Sequence, residues 1–290
     1  MLRMIRIFPL IPLFFFLIPP VSLSAADAGS RQAASTLPLW EAGLFSTIIR
    51  LPHYRGSDEA EVYAVPLPFV IYRGEFLRVN RDSFAGILFD SDALEAAISF
   101  YGNPPVPDDN KAREGMPGLD ALVEGGPALK WQLTGSAGDG RPYLTAAVRA
   151  AFSAGWDGGP EFRYQGVKGV ISLSVEDRNL VPAWGMGGSA SLGAEIADAR
   201  LHRYFYEVGP EYARPDRPAS SPGGGYGGAW ISGALYRRLT SSLTVSLYGR
   251  WDILRGAAME DSPLARRDSS VTAGIALSWT LFRSAKPAPR

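Results

Sequence analysis

Long runs of period-two alternation constrain this chain more than any other feature. In RPYLTAAVRAAFSAGW, residues 141–156, one face carries Leu144, Ala146, Val148, Ala150, Phe152, Ala154 and Trp156. The other carries Tyr143, Thr145, Ala147, Arg149, Ala151 and Ser153. Successive side chains of a strand point to opposite faces, so this pattern specifies an extended segment with one apolar side. The pattern recurs at 241–253, where Leu243, Val245, Leu247, Trp251 and Ile253 oppose Ser242, Thr244, Ser246, Tyr248, Arg250 and Asp252. It recurs again around 129–133, 167–176 and 271–281. Strands of soluble proteins average about 5–6 residues. Several segments here reach the length of about 9–11 residues that a tilted membrane strand needs. In a soluble sandwich the apolar face would turn inward. In a small membrane barrel the sense inverts, and Lys130, Arg149, Lys168, Glu176, Arg250 and Asp252 become candidate lumen-facing residues. Alternation alone leaves that sense open.

The amino terminus favours the barrel. Arg3 and Arg6 precede an apolar stretch, Ile7 to Ile18, followed by the small residues Ser24, Ala25 and Ala26. This is the layout of a secretory signal peptide, assigned to residues 1–26, with a linker over 27–37. The stretch is shorter than the roughly 20 residues of a spanning helix and contains Pro9 and Pro12. The sequence has no Cys, hence neither disulfides nor a lipid-acceptor cysteine. Removing Arg3 and Arg6 with the leader leaves a slight excess of acid over base, which gives no electrostatic ground for binding nucleic acid. No later stretch reaches about 18 uninterrupted apolar residues, so helical spans are excluded.

The expected fold is therefore all-β, a transmembrane antiparallel β-barrel of the outer membrane, occupying residues 38–282. Its segments number about twelve, with ten as the alternative, because membrane strands alternate weakly. The long interruptions at 102–122 and 199–225 are rich in Pro, Gly, Asp and Arg and are expected to be loops. Residues 283–290 are expected to form a disordered tail.

The segments LPHYRGSDE, VPLPFVIYRGEFLRVNRD, GILFDSD, DDNKAREGMPGLD and EGGPAL occur in that order, and RYFYEVGPEY and AAMEDSPLARR follow in the second half. Together they resemble the MipA/OmpV family of MltA-interacting outer-membrane proteins, over roughly residues 38–282. The resemblance implies a barrel that acts as an envelope scaffold, with a lytic transglycosylase and a murein synthase as partners and outer-membrane lipid around it. It carries no family active site. A narrow pore or an adhesin is the alternative, and a lipid-modifying enzyme a more remote one. The alternating face of the last segment ends at Trp279 and Leu281, with Phe282 out of phase, which departs from the terminal aromatic usual in such barrels.

Within LPHYRGSDE, Pro52 and Gly56-Ser57-Asp58 are turn chemistry, and the simplest reading is a strand connection with Arg55, Asp58 and Glu59 solvated or paired locally. Polar-aromatic loops also concentrate binding groups, so Tyr54, Arg55 and Asp58 are candidate partner-binding residues. In RLHRYFYEVGPEYARPDRP, Arg203, Tyr204, Tyr206 and Tyr212 join them, since Tyr and Arg are enriched in interface hot spots. The same aromatics could serve as a membrane girdle. Pro66 and Pro68 lie opposite Val65, Leu67, Phe69 and Ile71, which marks a kinked strand near the rim or a lateral opening. The only histidines, His53 and His202, lack a serine elbow motif, and PDDNKAREGMPGLD lacks a calcium-loop pattern and is expected to fold as a self-paired polar loop. No catalytic, cofactor or metal residues are assigned.

Overall fold

A computed structural model describes residues 37–73, 77–79, 84–91, 93–133, 140–156 and 159–288. The signal-peptide assignment and nearly all of the linker lie outside these residues.

Among the described residues, twelve strands close into one antiparallel barrel in which each strand pairs with its sequence neighbours and β1 with β12. They are β1 (Trp40–Pro52), β2 (Ala60–Arg73), β3 (Leu77–Val79), β4 (Phe84–Asp90), β5 (Leu94–Asn103), β6 (Ala121–Gln132), β7 (Pro142–Trp156), β8 (Pro160–Val181), β9 (Met186–Ala197), β10 (Gly225–Arg238), β11 (Leu243–Ile253) and β12 (Ser269–Arg283). No helix is long and apolar enough to cross a membrane among the described residues. Closure pairs backbone groups strand to strand, which is what a lipid environment requires.

Burial settles the sense of the alternation. Leu44, Ile48, Val148, Ile171, Leu192, Ile231, Leu247, Val271 and Ile275 are exposed on the outside, whereas Lys168, Glu124, Ser174, Ser246, Asp252, Thr272 and Ser278 are buried inside. Water would not tolerate so continuous an apolar exterior, but bilayer hydrocarbon is its natural solvent. Aromatics flank this band. Trp40, Tyr72, Trp131, Trp184, Trp279 and Phe282 lie exposed toward one end, and Phe152, Phe162, Tyr164, Tyr226 and Trp251 toward the other.

Bulges adjust the phase where the alternation alone would fail. The β1–β12 register steps from Ala42↔Phe282 to Gly43↔Thr280, so Leu281 and Phe282 both face outward. Phe282 thus rejoins the outer aromatic set despite its position in the sequence pattern. In β8 a shift beside Gln165 and Gly166 turns the outward set from Phe162 and Tyr164 to Val167, Ile171 and Leu173. Gly166 has φ +126°, and a Cβ there would lie 2.2 Å from Asp198 Oδ1.

The barrel's two ends differ. Residues 37–39 and 284–288 and the short connections 182–185 and 239–242 share one end. The opposite end carries residues 53–59, 104–120, 198–224 and 254–268. The tail does not lie free through its length: Leu39 N–H donates to Lys286 O and Ala288 N–H to Leu37 O, both at 2.8 Å, closing the termini together. The interruption at 199–225 is likewise more than a loop. It contains helix α1 (Ala199–Tyr206), capped by Asp198, whose carboxylate accepts from Leu201 N–H at 2.8 Å and from Val167 N–H at 3.0 Å. The cap residue thereby ties the helix to the β8 bulge.

Candidate functional site

The lumen wall is divided by chemistry. Strands β1 and β2 turn Phe45, Ile49, Leu67, Phe69 and Ile71 inward, all buried. Strands β5 to β11 turn polar and charged groups inward, and these meet in one network. Lys168 on β8 donates to Glu124 on β6 at 2.7 Å and lies 3.8 Å from Glu195 on β9. Arg149 on β7 stands 4.0 Å from Glu124 and donates through Nε to Ser99 on β5 at 3.0 Å. Arg250 grips Asp252, two residues along β11, at 2.8 Å and lies 4.5 Å from the centre of the Trp230 ring. Trp230 can lie flat against β9 because residue 193 is glycine: a Cβ there would be 2.6 Å from the ring. Tyr101 faces both Lys168 and Arg149, at 5.1 and 5.8 Å.

Arg55 joins the two halves of this network, although it belongs to the β1–β2 loop. Its Nη1 donates to Glu195 and to Gly227 O, the latter at 2.9 Å, and its Nε lies 2.9 Å from Asp252 Oδ1. Burial works against its charge, yet Glu195 and Asp252 hold its pKa above the ordinary value. The expectation of a solvated or locally paired Arg55 is corrected here. It is the single residue of that loop that reaches the carboxylates of β9 and β11.

Above the network the long loops share a hydrophobic core. Tyr54, Val106, Ala112, Met116, Leu119, Tyr206, Val208, Leu254, Ala257, Met259 and Leu264 are all buried together. These residues come from hairpins distributed around the barrel, so a common core must span its mouth. Hydrogen bonds fix the cap: Tyr54 OH donates to Leu264 O at 3.0 Å, Tyr206 OH to Arg55 O at 2.8 Å, and Tyr204 OH to Asp120 O at 2.7 Å. Arg113 donates to Phe205 O at 3.1 Å, and Arg217 to Ala112 O and Glu114 O, each at 3.0 Å. Burial pushes the Tyr54 hydroxyl up to about 12 and raises Tyr204 and Tyr206 as well.

The candidate partner-binding residues therefore separate. Tyr54 and Tyr206 are 5% and 3% exposed and form an edge-on pair at 5.7 Å, so they hold the cap together and present nothing to a partner. Arg55 is committed to the lumen. Tyr204 and Tyr212 are half-buried against the same core, while Asp58 and Arg203 remain exposed. The girdle reading of Tyr204 and Tyr206 is replaced by this packing. The loop 107–120 pairs both within itself and beyond: Arg113 donates to Pro117 O at 3.2 Å, while Glu114 bridges to Arg214 at 2.9 Å and Lys111 to Glu59 at 3.7 Å. Lys130, Arg149, Lys168, Glu176, Arg250 and Asp252 all stand on the inward face, Lys130 over the Tyr143 ring at 4.3 Å and Glu176 within 3.4 Å of Tyr236 OH.

Glu124 and Glu195, central to the network, were not singled out in the sequence. Glu124 sits in VEGGPAL, where the small residues that follow it mask its alternation, and Glu195 near the end of a weak segment. Neither histidine meets a serine hydroxyl among the described residues: Asn110 Nδ2 donates to His53 Nδ1, and His202 Nδ1 donates to Gly223 O, each at 2.8 Å. No cluster able to hold a metal occurs among the described residues.

A closed barrel, an apolar belt outside and a charged interior define an outer-membrane β-barrel protein. Residues 46–281 match the family described as MltA-interacting protein MipA, and the chain belongs to that family. No curated protein matches it. Among solved structures it is similar to a chain titled CymD monoaromatic hydrocarbon channel, at 13% identity over 93% of this chain and 99% of that one, with a TM-score of 0.35. It is also similar to the Pseudomonas putida toluene transporter TodX, at 9% identity over 92% and 77%, with a TM-score of 0.23. At these scores neither similarity bears on what this lumen does.

Proposed function

We propose that the protein is a narrow, non-enzymatic outer-membrane channel, closed at its outer mouth by the packed cap and gated by the Arg55 contacts. The observation that carries this reading is the seating of Arg55, a cap residue, on Glu195 and Asp252 of the lumen wall. A protein that only displayed loops would have no use for a charged interior latched to them. Twelve strands enclose a lumen between the filled interiors of eight-stranded barrels and the open channels of porins. Charged side chains narrow it further. In such barrels the short turns are periplasmic and the longer loops external. That orientation places the termini in the periplasm and the cap outside.

The test is planar-bilayer conductance of the folded protein beside a variant lacking residues 199–222 with a short linker. Small, rare openings in the intact protein and sustained conductance in the cap-deleted one support the channel. Absence of conductance from both, with folding verified by heat-modifiable mobility, overturns it.

The family description favours a second reading, a scaffold for murein-remodelling enzymes. The orientation above weighs against the 199–225 loop as its contact surface, because murein lies on the periplasmic side. Direct binding of a purified lytic transglycosylase to the short-turn end, unaffected by deleting 199–222, would support the scaffold.

A further inference from the structure

His53 and Asn110 are buried, at 8% and 0% exposure, and they meet where the β1–β2 hairpin touches the 104–120 loop. Asn110 caps the turn Lys111–Arg113, its Oδ1 accepting from Arg113 N–H at 3.1 Å. That bond fixes the amide's orientation, so its NH2 group is what faces the ring and donates to His53 Nδ1 at 2.8 Å. With Nδ1 as the acceptor, the neutral ring carries its hydrogen on Nε2, which lies 4.0 Å from Glu61. A second tie runs alongside. Glu59 Oε2 accepts from Lys111 N–H at 3.0 Å, and that same oxygen is 3.9 Å from His53 Nδ1.

A proton arriving at Nδ1 attacks both ties. The nitrogen becomes a donor and is set against the Asn110 amide. It also competes for the Glu59 oxygen that holds Lys111 N–H. Rotating the amide to offer Oδ1 brings no relief, because Arg113 N–H then loses its acceptor.

The direction of the effect follows from what differs between a docked and an undocked turn, since a ligand shifts an equilibrium only through differential affinity. Glu59 and Glu61 belong to the same hairpin as His53, so their attraction for an imidazolium is present in both states. Docking adds the Asn110 NH2 group, the Lys111 cation 3.7 Å from Glu59, and burial that leaves 7% of the imidazole exposed. All three oppose a charged ring. Of the other charged groups nearby, Arg113 and Arg217 are also cationic and are engaged with backbone carbonyls. Glu114 is taken up by Arg214, and Asp108 and Asp109 are exposed and therefore screened.

The turn is wired into the cap. Ala112 and Met116 share its core with Tyr54, the neighbour of His53, and Arg113 reaches Phe205 O on α1. We infer that His53 is a proton-operated release for the cap: acid on the loop side protonates Nδ1, expels Asn110 and frees the turn over 107–113. This rests on the reading of the cap as a gate and names the signal that opens it.

Hydrogen exchange in nanodiscs tests the release, expressed as protection factors so that the intrinsic pH dependence of exchange divides out. Measurements at about pH 7.5 and about pH 5.5 span the range in which imidazole ordinarily takes up a proton. The interval stays above the ordinary carboxylate range, about pH 4. Protection over 107–113 should fall about tenfold at the lower pH, the effect of losing a buried hydrogen bond and stranding its donor. Peptides from 243–253 should not change. His53→Gln, whose amide oxygen can accept from Asn110 but takes no proton, should remove the pH dependence. Asn110→Asp should reverse its sign, because a carboxylate facing the ring favours the imidazolium only while the turn is docked. No pH dependence in the parent, dependence that survives His53→Gln, or an unreversed sign in Asn110→Asp overturns the proposal. Where His53→Gln leaves the turn unprotected at both pH values, the sign in Asn110→Asp decides. Bilayer recordings with acid on the loop side separate the two readings. Release of the turn without conductance removes the channel alone, and conductance that rises equally in the parent and in His53→Gln removes the proton release alone.

Discussion

Replacing Arg55 by methionine keeps much of the side chain's length and removes its charge. Glu195 and Asp252 then lose a shared cation where both are largely withdrawn from water. Breaking one partner out of a buried ion pair costs about 3–5 kcal/mol. Both carboxylates retain a second cation, Glu195 facing Lys168 at 3.8 Å and Asp252 held by Arg250 at 2.8 Å, so the lower end, about 3 kcal/mol, applies here. The loss falls on the cap rather than the barrel, because no strand pairing depends on Arg55. About 3 kcal/mol corresponds to a cap that opens more than a hundredfold more often. Peptide-level hydrogen exchange in nanodiscs reads this directly. Peptides from 198–224 and 254–268 should exchange faster by that factor, and peptides from 243–253 should not change. Adding Glu195→Gln should recover part of the protection, since it removes one of the carboxylates left short of charge. Unchanged exchange in both loops, or equal acceleration in loops and strands, would refute the latch.

Other consequences concern the cap core and the wall. Tyr54 has its folded-state pKa raised by burial from 10.0 to about 12, so the stability it contributes is complete below pH 10 and is lost as the pH rises through 12. The cap should loosen over that window, followed by exchange or limited proteolysis, and Tyr54→Phe should blunt the alkaline step while losing the bond to Leu264 O. Leu264→Ala empties a fully buried site in the cap core and should cost about 2–5 kcal/mol of cap stability, with the barrel's heat-modifiable mobility unchanged. Gly193→Ala places a Cβ 2.6 Å from the Trp230 ring and 2.7 Å from Ile171 O. It should cost about 1–3 kcal/mol of barrel stability in urea unfolding and shift the tryptophan emission as Trp230 is displaced from Arg250.

Much of the barrel was legible because alternation is a local signal. The segment 141–156 states both its faces, and 241–253 states them again, down to the inward Arg250 and Asp252. The bulge opposite Ala42 and Gly43 was not legible, since a phase change reads in sequence as a misplaced Phe282. In the sequence the cap reads as separate polar loops because its core is assembled from residues far apart in the chain. Tyr54 and Leu264 each look like an isolated apolar residue until the hairpins meet. Arg55 illustrates the same limit: its turn-like neighbours suggested solvent, and only closure of the barrel brings Glu195 and Asp252 within its reach. Helix α1 was concealed for a different reason. Its eight residues are too few for a periodic pattern, and its stop and start are fixed by Asp198 and by packing against the cap.

The central claim is that a lumen open toward the short turns is closed on the loop side by a latched cap. Ser172, inward on β8, can be replaced by the protein's sole cysteine and exposed to a membrane-impermeant maleimide from one side of an oriented proteoliposome at a time. The account predicts labelling from the short-turn side only, and from both sides once Arg55→Met is introduced. Labelling from the loop side with Arg55 intact would contradict it.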